Sequence, residues 1–424
     1  EEMLIPFISR MTMVKLMDIN FPFSGRWWLH FPGSLNLGIM PVNRAYIIFL
    51  LLLLLVFKAC IDPYEPEVKE TQEVLVIDGM ITDRPGPHQV RVSISRPYTD
   101  PEIKPVSGCI VSVTDDQGNM EFYDESLETA GIYEAWLDEP FLGVGKSYSL
   151  QVVAPSNRIY VSDYDTLLSC PPVDSVYYSH EVSGGEDPDD VWQGLRFFND
   201  VRGFEDGTRN YRWRATATWE YHSPFTPNYV RYQGESIPYI VDSVSTCYLT
   251  EAIETVYAAS TQLLSENNIY QNKLHYVSDQ TPRLAERYSL LVEQFSLTDQ
   301  AYEYWEKLAA QSAKSASLYD SQPSSAQGNI YSTSSPEEKV LGYFYATQVQ
   351  DKRIFVDYRD LDFYVAAYTC KLERIRTNSN FIYDRYYYLI SGNDIGPGPP
   401  WYAGPDNCFN CTYRGGSKEK PDFW

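Results

Sequence analysis

Apolar residues follow three different spacings along this chain. Residues 45–57 form an unbroken apolar run, preceded by Arg44 and followed by Lys58-Ala59-Cys60. Further on, apolar and polar residues alternate in short segments bounded by turn-forming residues, the period of half-buried β-strands. One segment near residue 300 repeats instead every three to four residues, the period of an amphipathic helix.

The alternating segments begin with VLVIDGMI (74–81), read as a buried strand. HQVRVSIS (88–95) follows the turn Pro85-Gly86-Pro87 and sets Val90, Val92 and Ile94 on one face. SGCIVSVT (107–114), a turn at 115–118, NMEFY (119–123), GIYEAWL (131–137) and KSYSLQVVA (146–154) continue the pattern. About seven strands at this spacing predict a β-sandwich over 74–168. A boundary is expected near Ser169-Cys170-Pro171-Pro172, with a larger β-rich domain over 169–424. There, NYRWRATATWEY (210–221) puts Tyr211, Trp213, Ala215, Ala217 and Trp219 on one face and Arg212, Arg214, Thr216 and Thr218 on the other. The aromatic face could be a sugar platform, but such regular alternation is what burial against a second sheet requires.

The helix is expected at about 298–315, with Ala301, Tyr304, Trp305, Leu308 and Ala309 on its apolar face, Ser312 continuing it, and Thr298 or Ser296 as N-cap. A Ser/Pro/Gly-rich loop spans 317–336, a length often functional or mobile. VLGYFYATQV (340–349) and KRIFVDY (352–358) read as a strand pair across a short turn. No internal repeat stands out.

The apolar run at 45–57 is too short for a membrane span of roughly 17–25 residues. It has the length of a signal-peptide core, about 7–15 residues. A small residue followed by cysteine is how a bacterial lipoprotein signal ends, so Cys60 is the expected lipidation site. A signal starting at Met40 gives the basic n-region MPVNR and occupies 40–59. Residues 1–39 then read as an upstream extension; were they a genuine N-terminal tail, lipoprotein processing would be in doubt. Residues 60–73 read as a polar tether.

The chain has 57 acidic and 34 basic residues and a net charge of −23. Removing 1–59 takes away more bases than acids, so the remainder is more acidic still. Such a surface repels phosphate backbones, and nucleic acid is not an expected partner. It also repels anionic headgroups, so membrane attachment falls to lipid. Beyond Cys60 the cysteines are Cys109, Cys170, Cys247, Cys370, Cys408 and Cys411. An even number outside the cytoplasm suggests disulfides, in any of about 15 pairings. The 35 tyrosines suit both strands and binding surfaces.

The order PVSG-x-x-V-x-V-x-D … G-x-Y … Y-x-L-x-V resembles immunoglobulin-like or transthyretin-like sandwiches of bacterial surface proteins. The stretches CIDPYEP, VLVIDGMITDRPGPHQVRVSIS, YSLLVEQFSLTDQAYEYWEKLAAQS, EEKVLGYFYATQVQDKRIFV and the terminal CFNCTYRGGSKEKPDFW resemble a lipoprotein family of Bacteroidetes-type bacteria, the domain of unknown function 4249. The resemblance implies an outer-membrane lipoprotein, expected on the cell surface, with the periplasmic face as the alternative. It carries no catalytic residues across. Members tend to be encoded beside TonB-dependent receptors, which implies an accessory role by association.

Candidate chemistry is sparse. His88, His180, His222 and His275 form no close ligand pair, and neither a nucleophile elbow nor a phosphate loop is present. Cys408-Phe-Asn-Cys411 has redox, zinc (with Cys370 and Cys247) and disulfide readings, of which disulfides fit the compartment. Glu186 to Asp190 and Asp357, Asp360 and Asp362 could hold calcium but lack its loop spacing. Phe423 and Trp424 either close the core or insert in a partner. The expectation is a non-catalytic, cofactor-free accessory or ligand-binding lipoprotein, with Tyr304, Trp305, Tyr319, Phe423 and Trp424 as candidate partner contacts. A glycan-binding or adhesive surface protein, and a hydrolase without recognisable motif, are the alternatives.

Overall fold

Burial follows the alternation of the sequence strand by strand. The structure, a computed structural model, describes residues 73–95, 103–184, 191–232, 235–239, 244–314, 326–375, 387–392 and 400–424. These all belong to one unit, Lys69–Trp424. The apolar run, Cys60, residues 61–72 of the tether, Tyr319 and the acidic segment 186–190 lie outside the described residues.

The first layer pair starts with β1 (Val74–Thr82), β2 (Gly86–Ser95), β3 (Lys104–Pro105), β4 (Ile110–Asp115), β5 (Met120–Glu125), β6 (Ile132–Leu137), β7 (Ser147–Val153), β8 (Ile159–Ser162) and β9 (Asp165–Thr166). Alternate residues of β1 and β2 (Ile77, Ile81, Val90, Val92) meet Val111, Val113, Leu150 and Val152 of β4 and β7 in one buried core. This is the expected sandwich.

The next strands are β10 (Val173–Gly184), β11 (Val191–Arg202), β12 (Asn210–His222), β13 (Tyr229–Tyr232), β14 (Glu235–Pro238), β15 (Thr246–Ser260), β16 (Asn268–Ser278) and β17 (Arg287–Ser296). After helix α1 (Asp299–Lys314) come β18 (Ile330–Ser332), β19 (Val340–Leu341), β20 (Phe344–Thr347), β21 (Val349–Asp357), β22 (Glu373–Ile375), β23 (Tyr388–Ser391) and β24 (Trp401–Ala403). A three-stranded sheet, β10-β11-β16, faces a four-stranded one, β15-β12-β17-β21. Leu195, Phe197, Leu274 and Val277 from the first pack on Trp213, Ala215, Ala217, Trp219 and Leu290 from the second. The aromatic face of β12 is therefore core and not a sugar platform. Trp213 is 1% exposed, and its indole N–H donates to Gln294 Oε1 at 3.0 Å, so burial leaves that donor satisfied.

Two expectations about the C-terminal half are corrected. Residues 340–349 and 352–358 do not pair with each other. β19 and β20 instead pair in parallel with β1, and β21 pairs antiparallel with β17. Residues 350–351 lie inside β21, so the chain runs from the first sandwich into the second with Gln348 alone between β20 and β21. β18 also returns to the first sandwich, beside β8. The sandwich of 74–168 is thus completed by 330–347, a segment expected in the second domain.

The junction is held by two carboxylates, half-buried Asp83 and buried Asp165. Asp83 accepts from Val349 N–H at 3.0 Å and from the Gln348 amide at 2.9 Å. Asp165 accepts from the Thr298 hydroxyl at 2.6 Å and from Ala346 N–H at 2.8 Å, tying β9 to the start of α1 and to β20. Thr298 Oγ1 in turn accepts from Ala301 N–H at 3.4 Å, as an N-cap does.

A five-stranded sheet, β14-β13-β23-β24-β22, ends the fold. Disulfides Cys247–Cys411 and Cys370–Cys408 fasten the last segment to β15 and to the 370 region. Cys109 and Cys170 are unpaired and buried. Both cysteines of the C-x-x-C motif are joined to distant partners, and the four thiols of the zinc reading are consumed in these bonds. Trp424 packs edge-on against Tyr248 and Phe355, at 5.3 and 5.8 Å, and its indole donates to Glu220 at 3.2 Å. Arg353 lies 3.4 Å over the Phe423 ring. Phe423 and Trp424 therefore lie across the outer face of the four-stranded sheet. Trp424 is half-buried there, while Phe423 stays 41% exposed.

Loss of Cys247–Cys411, which closes 164 residues, is expected to cost about 2–5 kcal/mol, and loss of Cys370–Cys408, which closes 38, about 1 kcal/mol less. Urea unfolding of the two double-alanine variants checks the order. Burial raises the Asp165 carboxyl to about 6, against the hydrogen bonds from Thr298 and Ala346. The folded chain keeps that proton between about pH 4 and 6 while the unfolded chain releases it. Stability from this group therefore falls as pH rises through that window and is level above it. Relative to the parent, Asp165→Asn should gain on the order of 2 kcal/mol between pH 4 and 7. A parallel pH profile for the two proteins would refute this.

Candidate functional site

The strands that bury one face of the first sandwich present the other to a cleft. On β1, Ile77 and Ile81 point into the core, which leaves Val76, Asp78 and Met80 outside; on β2 the outer residues are Gln89 and Arg91. Opposite them stands α1, whose 3–4 spacing turns Tyr304, Trp305 and Leu308 the same way. Arg212 and Arg214 come from the outer face of β12, and Tyr343 and Tyr345 from beside and within β20. Together they enclose about 610 Å³, within the range of small-molecule sites. A second concavity of about 610 Å³ adjoins it and shares Gln89, Arg91 and Ile132.

A glycine makes this wall possible. β1 pairs first with β19 and then with β20, and between the two pairings the chain turns at Gly342, at φ +96°. A Cβ there would run into the Ile77 carbonyl and Asp78. The turn sets Tyr343 N–H on the Asp78 carboxylate. Asp78 still presents surface to the cleft, yet the concave setting strips enough water to raise its pKa, against the pull of the Tyr343 amide and Arg91.

Aromatic contacts hold the inner wall. Tyr304 stacks on Tyr343 with ring centres 4.7 Å apart, and Trp305 meets Tyr345 edge-on at 5.7 Å. The Arg212 guanidinium sits 3.8 Å over the Trp305 ring and donates to the Tyr345 hydroxyl at 2.7 Å. Cation–π contacts of this kind contribute about 0.5–2 kcal/mol. Arg214 donates to Glu293 at 2.8 Å, so its charge is matched within the sheet. Burial pushes the phenols of Tyr304, Tyr343 and Tyr345 up, which keeps them neutral near pH 7. Among the lining residues Asp78 is the one carboxylate, and none is His, Cys or Ser. The arrangement offers hydrogen-bond donors, aromatic edges and aliphatic surface: the means to hold a ligand.

The candidate residues are not brought to one place. Tyr304 and Trp305 are the two that reach the cleft, and they form its inner wall; Tyr304 is buried there. Phe423 and Trp424 cap another end of the sheet, and Cys109 and Cys170 lie in separate interiors. Asp357 is engaged by Arg359 at 2.7 and 2.8 Å, which holds its carboxyl down to about 2, and Asp362 pairs with His180. Among the described residues no three His, Cys, Asp or Glu side chains group as metal ligands. Arg91, Tyr343 and Tyr345 went unread in the sequence. Arg212 and Arg214 were visible as the polar face of 210–221, where alternation alone does not say what covers it.

Among the described residues no helix is long and apolar enough to cross a membrane. No curated protein matches the chain. Of solved structures, trypsin-activated alpha-2-macroglobulin from Escherichia coli is similar at 10% identity, over 54% of this chain and 15% of that one, with a TM-score of 0.17. A DUF4785 family protein from Legionella pneumophila is similar at 10% identity, over 52% and 51%, with a TM-score of 0.15. The chain spans less than two thirds of either, and neither likeness carries a structural argument. The domain of unknown function 4249 (DUF4249) matches residues 61–353, well over half of the chain, and the protein belongs to that family.

Proposed function

We propose that this protein is an outer-membrane lipoprotein, anchored through Cys60, that holds a ligand without transforming it and serves as an accessory to a TonB-dependent receptor. The observation that carries the reading is the cleft between α1 and the outer face of β1 and β2, with stacked aromatics and arginines in its wall. Two disulfides between distant residues fit an oxidising compartment outside the cytoplasm. The lipid anchor rests on the signal-like run 40–59 and the tether after it. The receptor rests on the company that the resembled family keeps.

The structure redirects the search for a partner surface. Three of the expected contacts, Tyr304, Trp305 and Tyr319, belong to the helix–loop region 297–336, which combines an aromatic helix with a long loop. The aromatics of the helix face inward, so it offers a partner its exposed side, Glu303, Glu306 and Lys307. Removing 317–335 would also remove β18 from the first sandwich, and charge reversal on α1 is the cleaner probe.

A glycan-binding surface is the second reading. Phe122 and Trp136, on neighbouring strands β5 and β6, are 62% and 72% exposed, as stacking platforms are. Binding of a neutral glycan that is lost in Trp136→Ala would favour it.

The tagged protein, pulled from detergent-solubilised outer membranes, should bring a TonB-dependent receptor with it. Glu303→Lys with Glu306→Lys should reduce that recovery at least fivefold while leaving the thermal midpoint in place. Cys60→Ser should leave the chain unprocessed or release it from the membrane. A Cys60→Ser protein that still fractionates as mature and membrane-bound would sink the anchor. Parent protein recovered without a receptor would sink the accessory role.

A further inference from the structure

The cleft is basic in an acidic protein. The chain carries −23, yet the cleft lining holds Arg91, Arg212 and Arg214 against Asp78 alone. Arg214 is neutralised by Glu293. Arg212 is not matched in that way: its hydrogen bond goes to the neutral Tyr345 hydroxyl and its plane rests on Trp305. That stacking holds the guanidinium in place before any ligand arrives, and a fixed planar fork is the geometry that carboxylates match.

Besides the amides of Gln89 and Gln311, the lining has an aliphatic part, Met80, Ile132, Leu308 and Leu341, beside the aromatic rings. The aliphatic part fits an apolar body.

We infer that the cleft takes a small amphipathic carboxylic acid, its carboxylate at Arg212 and Arg91 and its apolar body along Met80, Ile132 and Leu308. This rests on the reading of the cleft as a ligand site and adds the chemical class. The net negative field of the protein works against any anion in bulk solvent, so selection depends on these close contacts.

The test is calorimetric titration of the full chain in lipid nanodiscs, with empty discs as blank. The probes are phenylalkanoates from phenylacetate to 6-phenylhexanoate, each beside its neutral amide. At least one acid should bind tenfold or more tightly than its amide. Arg212→Gln and Arg91→Gln should each weaken the acid about tenfold and leave the amide within twofold, and Arg353→Gln, remote at the C-terminal cap, should change neither. Arg91 is exposed on its strand, so its variant tests the idea even if Arg212→Gln disturbs the wall. Equal affinity for acid and amide would overturn the carboxylate and leave the ligand site standing. Acid preference that survives both arginine variants would place binding elsewhere and overturn the assignment. Absence of binding by every acid and amide would overturn the inference together with the cleft as a ligand site.

Discussion

One stretch of backbone, Phe344 to Asp357, belongs to two sheets, and the rest of the molecule is arranged around that fact. Its first part is a parallel partner of β1, its second an antiparallel partner of β17, and a single residue separates them. A change of angle between the sandwiches would break ladder hydrogen bonds on one side or the other. Asp83 and Asp165 reinforce the same place from the first sandwich, each accepting from backbone amides of this stretch. Asp165 does so at the cost of desolvating its carboxyl group, which the accepted hydrogen bonds offset in part.

The cleft follows from that constraint. The outer faces of β1 and β2 and of β12 are held in a set relation, and α1 roofs the space they leave. Polar residues on those outer faces would be solvated in an isolated sandwich. Here they line a concave wall in which Arg212 is held between an aromatic plane and a phenol. Preorganisation of this sort lowers what a ligand must spend in ordering the site.

Much of this was legible from residue order. Strands 88–95 and 210–221 were readable because apolar and polar residues alternate along them, 74–81 because its first four residues are apolar without a break, and the helix because five apolar residues recur at helical spacing. β18, β19 and β20 were not readable as members of the first sandwich. They have three, two and four residues, too few for a period to show, and their pairing with β1 and β8 is long-range. The inward turn of Tyr304 and Trp305 was hidden for a related reason. Helical spacing defines an apolar face but not what covers it, and the cover is Tyr343 and Tyr345, far along the chain. Cysteine pairing is equally a matter of three-dimensional proximity.

The late arrival of β18, β19 and β20 also matters for time. A chain that emerges from its N-terminus makes most of the first sandwich early and then waits for 330–347. Until then β1 and β8 each keep a bare edge, a template for any other strand at hand. Contacts so distant in sequence form slowly, after costly loop closure. A protein built this way gains little from folding domain by domain during synthesis, and a chain interrupted near residue 300 would be left with both edges open. The splice that makes the molecule rigid once finished makes it vulnerable while it is being made.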